Sequence, residues 1–201
     1  MTMPTNRAQR RGRPGHDRDD VIRAGVQLFN EQGYDATSVS DLTARLGVTK
    51  SALYHHVDSK AQILQIALDE ALGGLEEALQ TALAHPTPGE RLTAIVDGAV
   101  RVLTARQPQV TMLLRLRGNS DIEMAALERR RRFDHTVTDL VREAQAEGLV
   151  RADLDAGVAT RLIFGMINSV VEWYRPDGPV DPALLGAEIR AVALDGLRPR
   201  P

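Results

Sequence analysis

Residues 46–60 read LGVTKSALYHHVDSK. Gly47 ends one apolar pattern, and Thr49 is a good N-cap for a short helix running from Lys50 to about His56. That helix has little apolar surface. It begins with Thr49, Lys50, Ser51 and Ala52 and ends near Tyr54, His55 and His56, with Lys60 shortly after. Three chemistries compete for such a segment: a metal site, a catalytic histidine pair, and a helix pressed against a polar, charged partner.

Neighbouring histidines on a helix diverge by about 100°, so His55 and His56 cannot readily share one ion. No third ligand stands three or four residues from either, and His16, His85 and His135 are scattered. Ser51 and His55 are four apart, but a short exposed helix offers neither an oxyanion pocket nor an orienting acid. No catalytic or metal site is therefore expected, and no cofactor. The third reading accounts for more residues. A helix led by small and polar side chains is narrow enough for a major groove. Lys50 and Ser51 hydrogen-bond base edges there, Ala52 tolerates a thymine methyl, and Tyr54, His55 and Lys60 grip phosphates at the rim. Leu53 and Val57 turn back onto Leu42 and Val48. For Tyr54 the alternative is core packing beneath the first helix.

Working outward, Ser38 followed by Asp41 is a capping-box signature, and Val39, Leu42 and Leu46 face one way up to Gly47. Two short helices joined by a glycine turn fit a helix-turn-helix. Before them, Asp17, Asp19 and Asp20 open a helix whose stripe carries Val21, Ile22, Gly25, Val26, Leu28 and Phe29, with Gly33 at its end. After them, Asp58 or Ser59 caps a long helix through Leu83, which Gly73-Gly74 should weaken or bend. Further helical patterns run over about 90–106, 108–117, 121–147, 154–174 and 182–196, with no sustained alternation of strand type. The expected fold is all-α. Residues 1–15 form a flexible basic arm, 16–60 a three-helix head that carries the helix-turn-helix, and 61–201 a larger helical body.

Composition agrees. Aromatic residues are only 3% of the chain, so the core must come from Leu, Val, Ile and Ala, which favours helices. There is no cysteine, which excludes disulfides and thiolate metal sites and is compatible with the cytoplasm. No apolar run approaches a membrane span. The net charge of −2 conceals an asymmetry, because residues 1–60 are net basic and the remainder net acidic. Arg7, Arg10, Arg11 and Arg13 all precede the first acid, Asp17. A basic end on an acidic body suggests a head that faces a polyanion.

The stretch VIRAGVQLFNEQGYDATSVSDLTARLGVTKSALYHHVDSKAQIL resembles the N-terminal domain of the TetR family of bacterial repressors. The landmarks are Leu28-Phe29, Gly33-Tyr34, Thr37-Ser38-Val39, Leu42, Gly47-Val48, Leu53-Tyr54 and Ser59-Lys60. Val57 and Gly25 depart from the family's more usual Phe and Ala, both on the packing side. The resemblance implies a dimer on a palindromic operator, released when a small ligand enters the body and changes the spacing of the heads. It makes Thr37, Thr49, Lys50, Ser51, Ala52, Tyr54, His55 and Lys60 the DNA-facing positions. The arginine arm would reach the adjacent minor groove.

In the body, the last two helical patterns carry apolar stripes, Leu162, Ile163, Met166, Val170 and Trp173 on one and Leu185, Ile189, Val192 and Leu194 on the other. Gly165 and Ser169 permit close helix approach, so a four-helix homodimer interface is expected, with monomer core as the alternative. An effector pocket is expected among Met112, Leu116, Phe133 and Val137, with Asn168, Trp173 and Arg175 orienting the ligand; Leu113, Ile167 and Val171 join its wall. Four consecutive arginines, Arg129 to Arg132, cover every face of a helix, so at least one points inward or along a cleft; otherwise they pair with Glu123, Glu128 and Asp134. This region is similar to the subset of such regulators that sense acyl-CoA thioesters, which makes an acyl-CoA the expected effector. The rival functions are a helical enzyme acting on an acyl-CoA and a ligand-independent architectural DNA-binding protein. No carboxylate cluster, nucleophile elbow or phosphate loop supports the enzyme.

Overall fold

Side chains that cap helix starts set most of the element boundaries. In the computed structural model, which describes residues 17–196, Asp17 and Asp20 form a reciprocal capping box at the start of α1 (Arg18–Gln32). Ser38 and Asp41 do the same for α2 (Val39–Leu46). Asp41 is held below the ordinary carboxylate range by the Ser38 hydroxyl and amide. Gly47 then takes a left-handed conformation, φ 65°, and ends α2 without the cost a Cβ would bring there. The Thr49 hydroxyl accepts from Ala52 N to start α3 (Lys50–Tyr54). This helix is shorter than expected. The amides of His55 and His56 bond back to Ala52 and Leu53 in a tightened last turn.

Ser59 caps α4 (Lys60–Leu83), which carries the chain from head to body. Gly73-Gly74 lies in its middle, and the helix runs on without interruption. Gly74 has a packing role instead. A Cβ on it would meet the Arg106 guanidinium at 2.5 Å, so its absence makes room for Arg106 to donate to the Glu70 carbonyl. After it come α5 (Pro88–Ala105), opened by a Thr87–Glu90 capping box, and α6 (Gln107–Leu114). The chain continues through α7 (Asp121–Ala146), α8 (Ala156–Trp173) and α9 (Pro182–Asp195). All regular structure among the described residues is helical. The basic arm lies outside the described residues.

One buried apolar core runs from head to body. In the head it joins Val21, Val26, Phe29, Leu42, Leu53 and Ile63. Gly25 lets α4 approach α1 closely, since a Cβ there would stand 2.8 Å from Ile63 Cγ2. In the body α4 packs on α5, α6 and α7, α5 on α9, and α7 on α8, while α1 rests on both α4 and α6. The head therefore sits on two helices that also wall the body's interior. No described helix is long and apolar enough to cross a membrane.

Candidate nucleic-acid interface and effector cavity

Because α3 buries Leu53 and the following Val57 almost completely, its opposite side must face outward. That side carries Thr49, Lys50, Ser51, Tyr54 and His55, all exposed, with Ala52 half-buried beside them. Tyr54 is 41% exposed, which replaces the core-packing alternative with a surface position. Its ring lies 5.9 Å from Lys50 Nζ. Arg45 pairs with Glu31 and ties α2 to α1, holding the Glu31 carboxyl below its ordinary range.

Two of the expected DNA-facing residues turn inward. Thr37 is 2% exposed, and its hydroxyl donates to the Gly33 carbonyl at 2.7 Å. Lys60 directs Nζ to the carbonyls of Tyr34 and Thr37, each at 2.8 Å, with the Tyr34 ring centroid 4.2 Å away. The chain between α1 and α2 folds back over the start of α4, so both side chains secure that connection rather than extend the α3 face.

The head is fastened to the body by a second set of bonds. Asn30 Nδ2 donates to the Pro108 carbonyl, and Arg115 Nη1 donates to the Asn30 carbonyl. Asn119 Nδ2 donates to Asp35. The segment that makes these contacts is organised by Glu123, 4% exposed. Its Oε2 accepts from the amides of Arg117, Gly118 and Asn119 at 3.1, 2.8 and 3.1 Å. A carboxylate that receives several amides in a buried place is well satisfied.

In the body, a cavity of about 430 Å³ lies among α5, α6, α7 and α8. Its floor is apolar, with Leu103, Leu113, Phe133, Phe164 and Ile167. Phe133 and Phe164 meet edge to face, with centroids 5.4 Å apart. Thr138 and Thr160 place hydroxyls 3.2 Å apart in its wall. Toward solvent it is edged by Arg130, Asp134, His135, Arg161 and Asn168. Burial pushes the Asp134 carboxyl up, against the opposing pull of Arg130, His135 and Arg161.

Of the expected pocket residues, the cavity brings together Phe133 and Asn168, along with Leu113 and Ile167. Met112 and Leu116 instead line an open hollow between head and body, beside Asn30 and Tyr34. Val137 is buried in the core off the cavity surface. Trp173 is 50% exposed, and Arg175 is also exposed; both stand at the far end of α8, away from the cavity lining. The four arginines divide. Arg129 pairs with Asp69 and Glu76 on α4, Arg131 and Arg132 pair with Glu128, and Arg130 and Arg131 reach the cavity. Sequence reasoning missed Thr138, Thr160, Arg161 and Phe164. The signal was the helical spacing of Gly157, Thr160, Arg161, Phe164 and Asn168 along one side of α8. Among the described residues no three His, Asp or Glu side chains are grouped to hold a metal ion.

This arrangement has known counterparts. Residues 21–66 match the family model of bacterial regulatory proteins, tetR family. Residues 85–197, more than half of the chain, match the tetracyclin repressor-like C-terminal domain. The chain belongs to the TetR family. A crystal structure of a TetR transcriptional regulator from Streptomyces coelicolor A3 superposes with a TM-score of 0.83 at 45% identity, covering 89% of this chain and 91% of that one. The ketosteroid transcriptional regulator KstR2 of Mycobacterium tuberculosis does so with 0.83 at 25% identity, covering 94% and 98%. The transcriptional repressor KstR2 of Mycolicibacterium smegmatis is 29% identical over 195 residues, 92% of each chain. This TetR-family chain is a DNA-binding transcriptional regulator of the ligand-responsive repressor type, and its relatives are named repressors rather than enzymes.

Proposed function

We propose that this repressor binds a palindromic operator as a homodimer and leaves it when an acyl-CoA thioester enters the body. The observation that carries the DNA assignment is the two-sided character of α3. Leu53 is 1% exposed and inward, whereas Lys50 and Ser51 are exposed. In this reading Lys50 and Ser51 reach base edges, and Thr49, Tyr54 and His55 hold the phosphates on either side. Thr49 still has its hydroxyl proton to donate after accepting the cap bond.

For the second subunit, α8 and α9 offer Val158, Leu162, Trp173, Leu184 and Val192, all about half exposed or more. Large exposed apolar residues grouped on neighbouring helices mark an interaction surface. Their stripe-mates Ile163, Val170, Leu185 and Ile189 are buried within the subunit, so each helix has one face for its own core and one for a partner. A two-fold pairing of such faces matches a two-fold operator.

For the effector, the cavity has the size of an ordinary ligand pocket and combines an apolar floor with a few polar groups. Its walls α6 and α7 join through the segment that Glu123 organises, the same segment that holds Asn30 and Asp35 of the head. A ligand that alters the α6–α7 junction thereby alters the seat of the head. This function belongs in the cytoplasm, where the DNA is.

Selection of bound DNA from a random pool tests the reading. A recovered palindrome whose retention is lost on adding an acyl-CoA is the expected result. Protection of DNA without a defined palindrome would favour an architectural binder, and consumption of the thioester at catalytic protein levels would favour an enzyme.

A further inference from the structure

Cations in the body mostly have partners. Arg129 holds Asp69 and Glu76, Arg91 holds Glu143, Arg190 holds Asp97, and Arg106 donates to the Glu70 carbonyl. Three basic side chains at the cavity edge differ. Arg130 and His135 on α7 and Arg161 on α8 make no salt bridge and donate no side-chain hydrogen bond among the described residues. The one acid among them is Asp134, half-buried, and it reaches none of them in an ion pair. Arg131 also reaches this edge but is drawn to Glu128 at 3.3 Å. Immediately below lies the apolar floor of Leu103, Leu113, Phe133, Phe164 and Ile167.

A ring of two guanidiniums and an imidazole around a single acid carries a local excess of positive charge. Guanidiniums bring forked donors suited to carboxylate, sulfonate or phosphate oxygens. The low-polarity floor strengthens the field at its edge by excluding water. A neutral ligand would fill the floor but leave these donors unused, whereas an anion without an apolar body would leave the floor empty.

We propose that Arg130, Arg161 and His135 form an anion-binding edge to the cavity, so that the protein takes an amphipathic anion whose acidic group sits at the α7–α8 opening above its apolar part. The proposal rests on the effector reading and deepens it by assigning the ligand's charge to named residues. The anion is either the pyrophosphate of a thioester or the carboxylate of a simpler acid, and both present the same oxygens to the arginines.

The test uses two fluorescent probes of nearly one shape on the full chain: 8-anilinonaphthalene-1-sulfonate, which is anionic, and N-phenyl-1-naphthylamine, which is neutral. The sulfonate is expected to bind at least about tenfold more tightly, equivalent to about 1.4 kcal/mol. In the Arg130→Gln/Arg161→Gln variant the two affinities converge. Asp134→Asn, which leaves both arginines in place, widens the gap and keeps the proposal testable if the double variant folds poorly. Displacement of the sulfonate by octanoyl-CoA alone identifies the thioester as the source, and displacement by octanoate as well identifies a simple acid. Equal affinity for the two probes in the parent protein, or a sulfonate affinity unchanged in the double variant, overturns the proposal. Charge-selective binding that never releases operator DNA would leave the anion edge standing and remove the effector reading.

Discussion

Lys60 and Tyr34 hold one another at the base of the helix-turn-helix: Nζ donates to the Tyr34 carbonyl at 2.8 Å and lies 4.2 Å from the centre of its ring. The same ammonium donates to Thr37. Two of its three protons are thus spent on the connection between α1 and α2. Lys60 starts α4, so it ties the reading head to the helix that enters the body. Lys60→Ala is therefore expected to weaken operator binding and lower the stability of the head by about 1–3 kcal/mol, while the slope of log affinity against log salt stays as in the parent. Lys50→Ala, which removes an outward charge without disturbing the fold, should reduce that slope by about one. Titrations at several salt concentrations separate the two behaviours, and a slope change for Lys60→Ala would return it to the phosphate.

Gly25→Ala should destabilise the protein. The new methyl would meet Ile63 Cγ2 at 2.8 Å where the buried faces of α1 and α4 pack together, so one of them must shift. Overpacking of this sort costs about 1–3 kcal/mol. Adding Ile63→Val, which leaves Cγ2 but removes Cδ1, the second atom in the way at 3.2 Å, should recover only part of the loss in urea melts. The absence of any loss in the single variant would show that α1 and α4 separate easily.

Much of this fold was legible because its signals are local. Asp17 with Asp20, Ser38 with Asp41 and Thr87 with Glu90 cap their helices through bonds three residues long, and Gly47 ends α2 at its own position. For Lys60 and Thr37 the sequence holds no such cue, because their partners are set by the chain folding back. The bond from Lys60 to Tyr34 spans 26 residues, and nothing near Lys60 announces it. The α8 stripe was ambiguous for another reason. A helix apolar on two sides does not tell which side meets its own subunit, so Trp173 passed for a pocket residue although it stands half exposed. Likewise Arg161 and Thr160 are neighbours in sequence with different exposure, and only the packing of α7 on α8 brings both to one cavity.

Glu123 supplies a test of the link between head and body. All three amides of residues 117–119 converge on one oxygen, Oε2. Glu123→Gln keeps an acceptor in that position and should lose only about 1 kcal/mol, whereas Glu123→Ala leaves buried amides without a partner and should cost about 2–4 kcal/mol. The loosened segment also carries Asn119, which bonds Asp35 of the head. Operator affinity should fall in the order parent, Gln, Ala. Equal affinities in all three would show that this segment does not seat the head.

Asp134 predicts a pH dependence opposite to that of the capping acids. Burial raises its folded carboxyl pKa, so the folded state takes up a proton more readily than the unfolded chain. Its unfavourable contribution is absent below the ordinary carboxylate range and complete once pH exceeds the raised value. Asp134→Asn should accordingly be more stable than the parent near neutral pH, and the advantage should vanish in acid. Asp41, which Ser38 holds below its ordinary range, contributes stability at neutral pH that is lost on acidification. Urea midpoints across the acid range check both signs. An Asn variant less stable than the parent at neutral pH would mean that the nearby cations outweigh burial.

The apolar outer faces of α8 and α9 allow the proposed dimer to be tested separately from the fold. Leu162 is 68% exposed and Val192 65%, so neither contributes much to the subunit's own core. Burying a leucine against a partner is worth about 1.5–3 kcal/mol, and a two-fold interface counts each residue twice. Leu162→Glu should therefore drive the protein to monomer in sedimentation while its thermal unfolding at low concentration changes little. DNA binding should fall much more than stability, because a palindrome is read by two heads held at a fixed spacing and a single α3 offers few base contacts. The opposite substitution pattern supplies the control. Ile163→Glu, one position along the same helix, places a charge in the subunit interior, where its side chain is 4% exposed, and should unfold the protein outright. A Leu162→Glu protein that stays dimeric and binds the palindrome as before would place the subunit contact elsewhere.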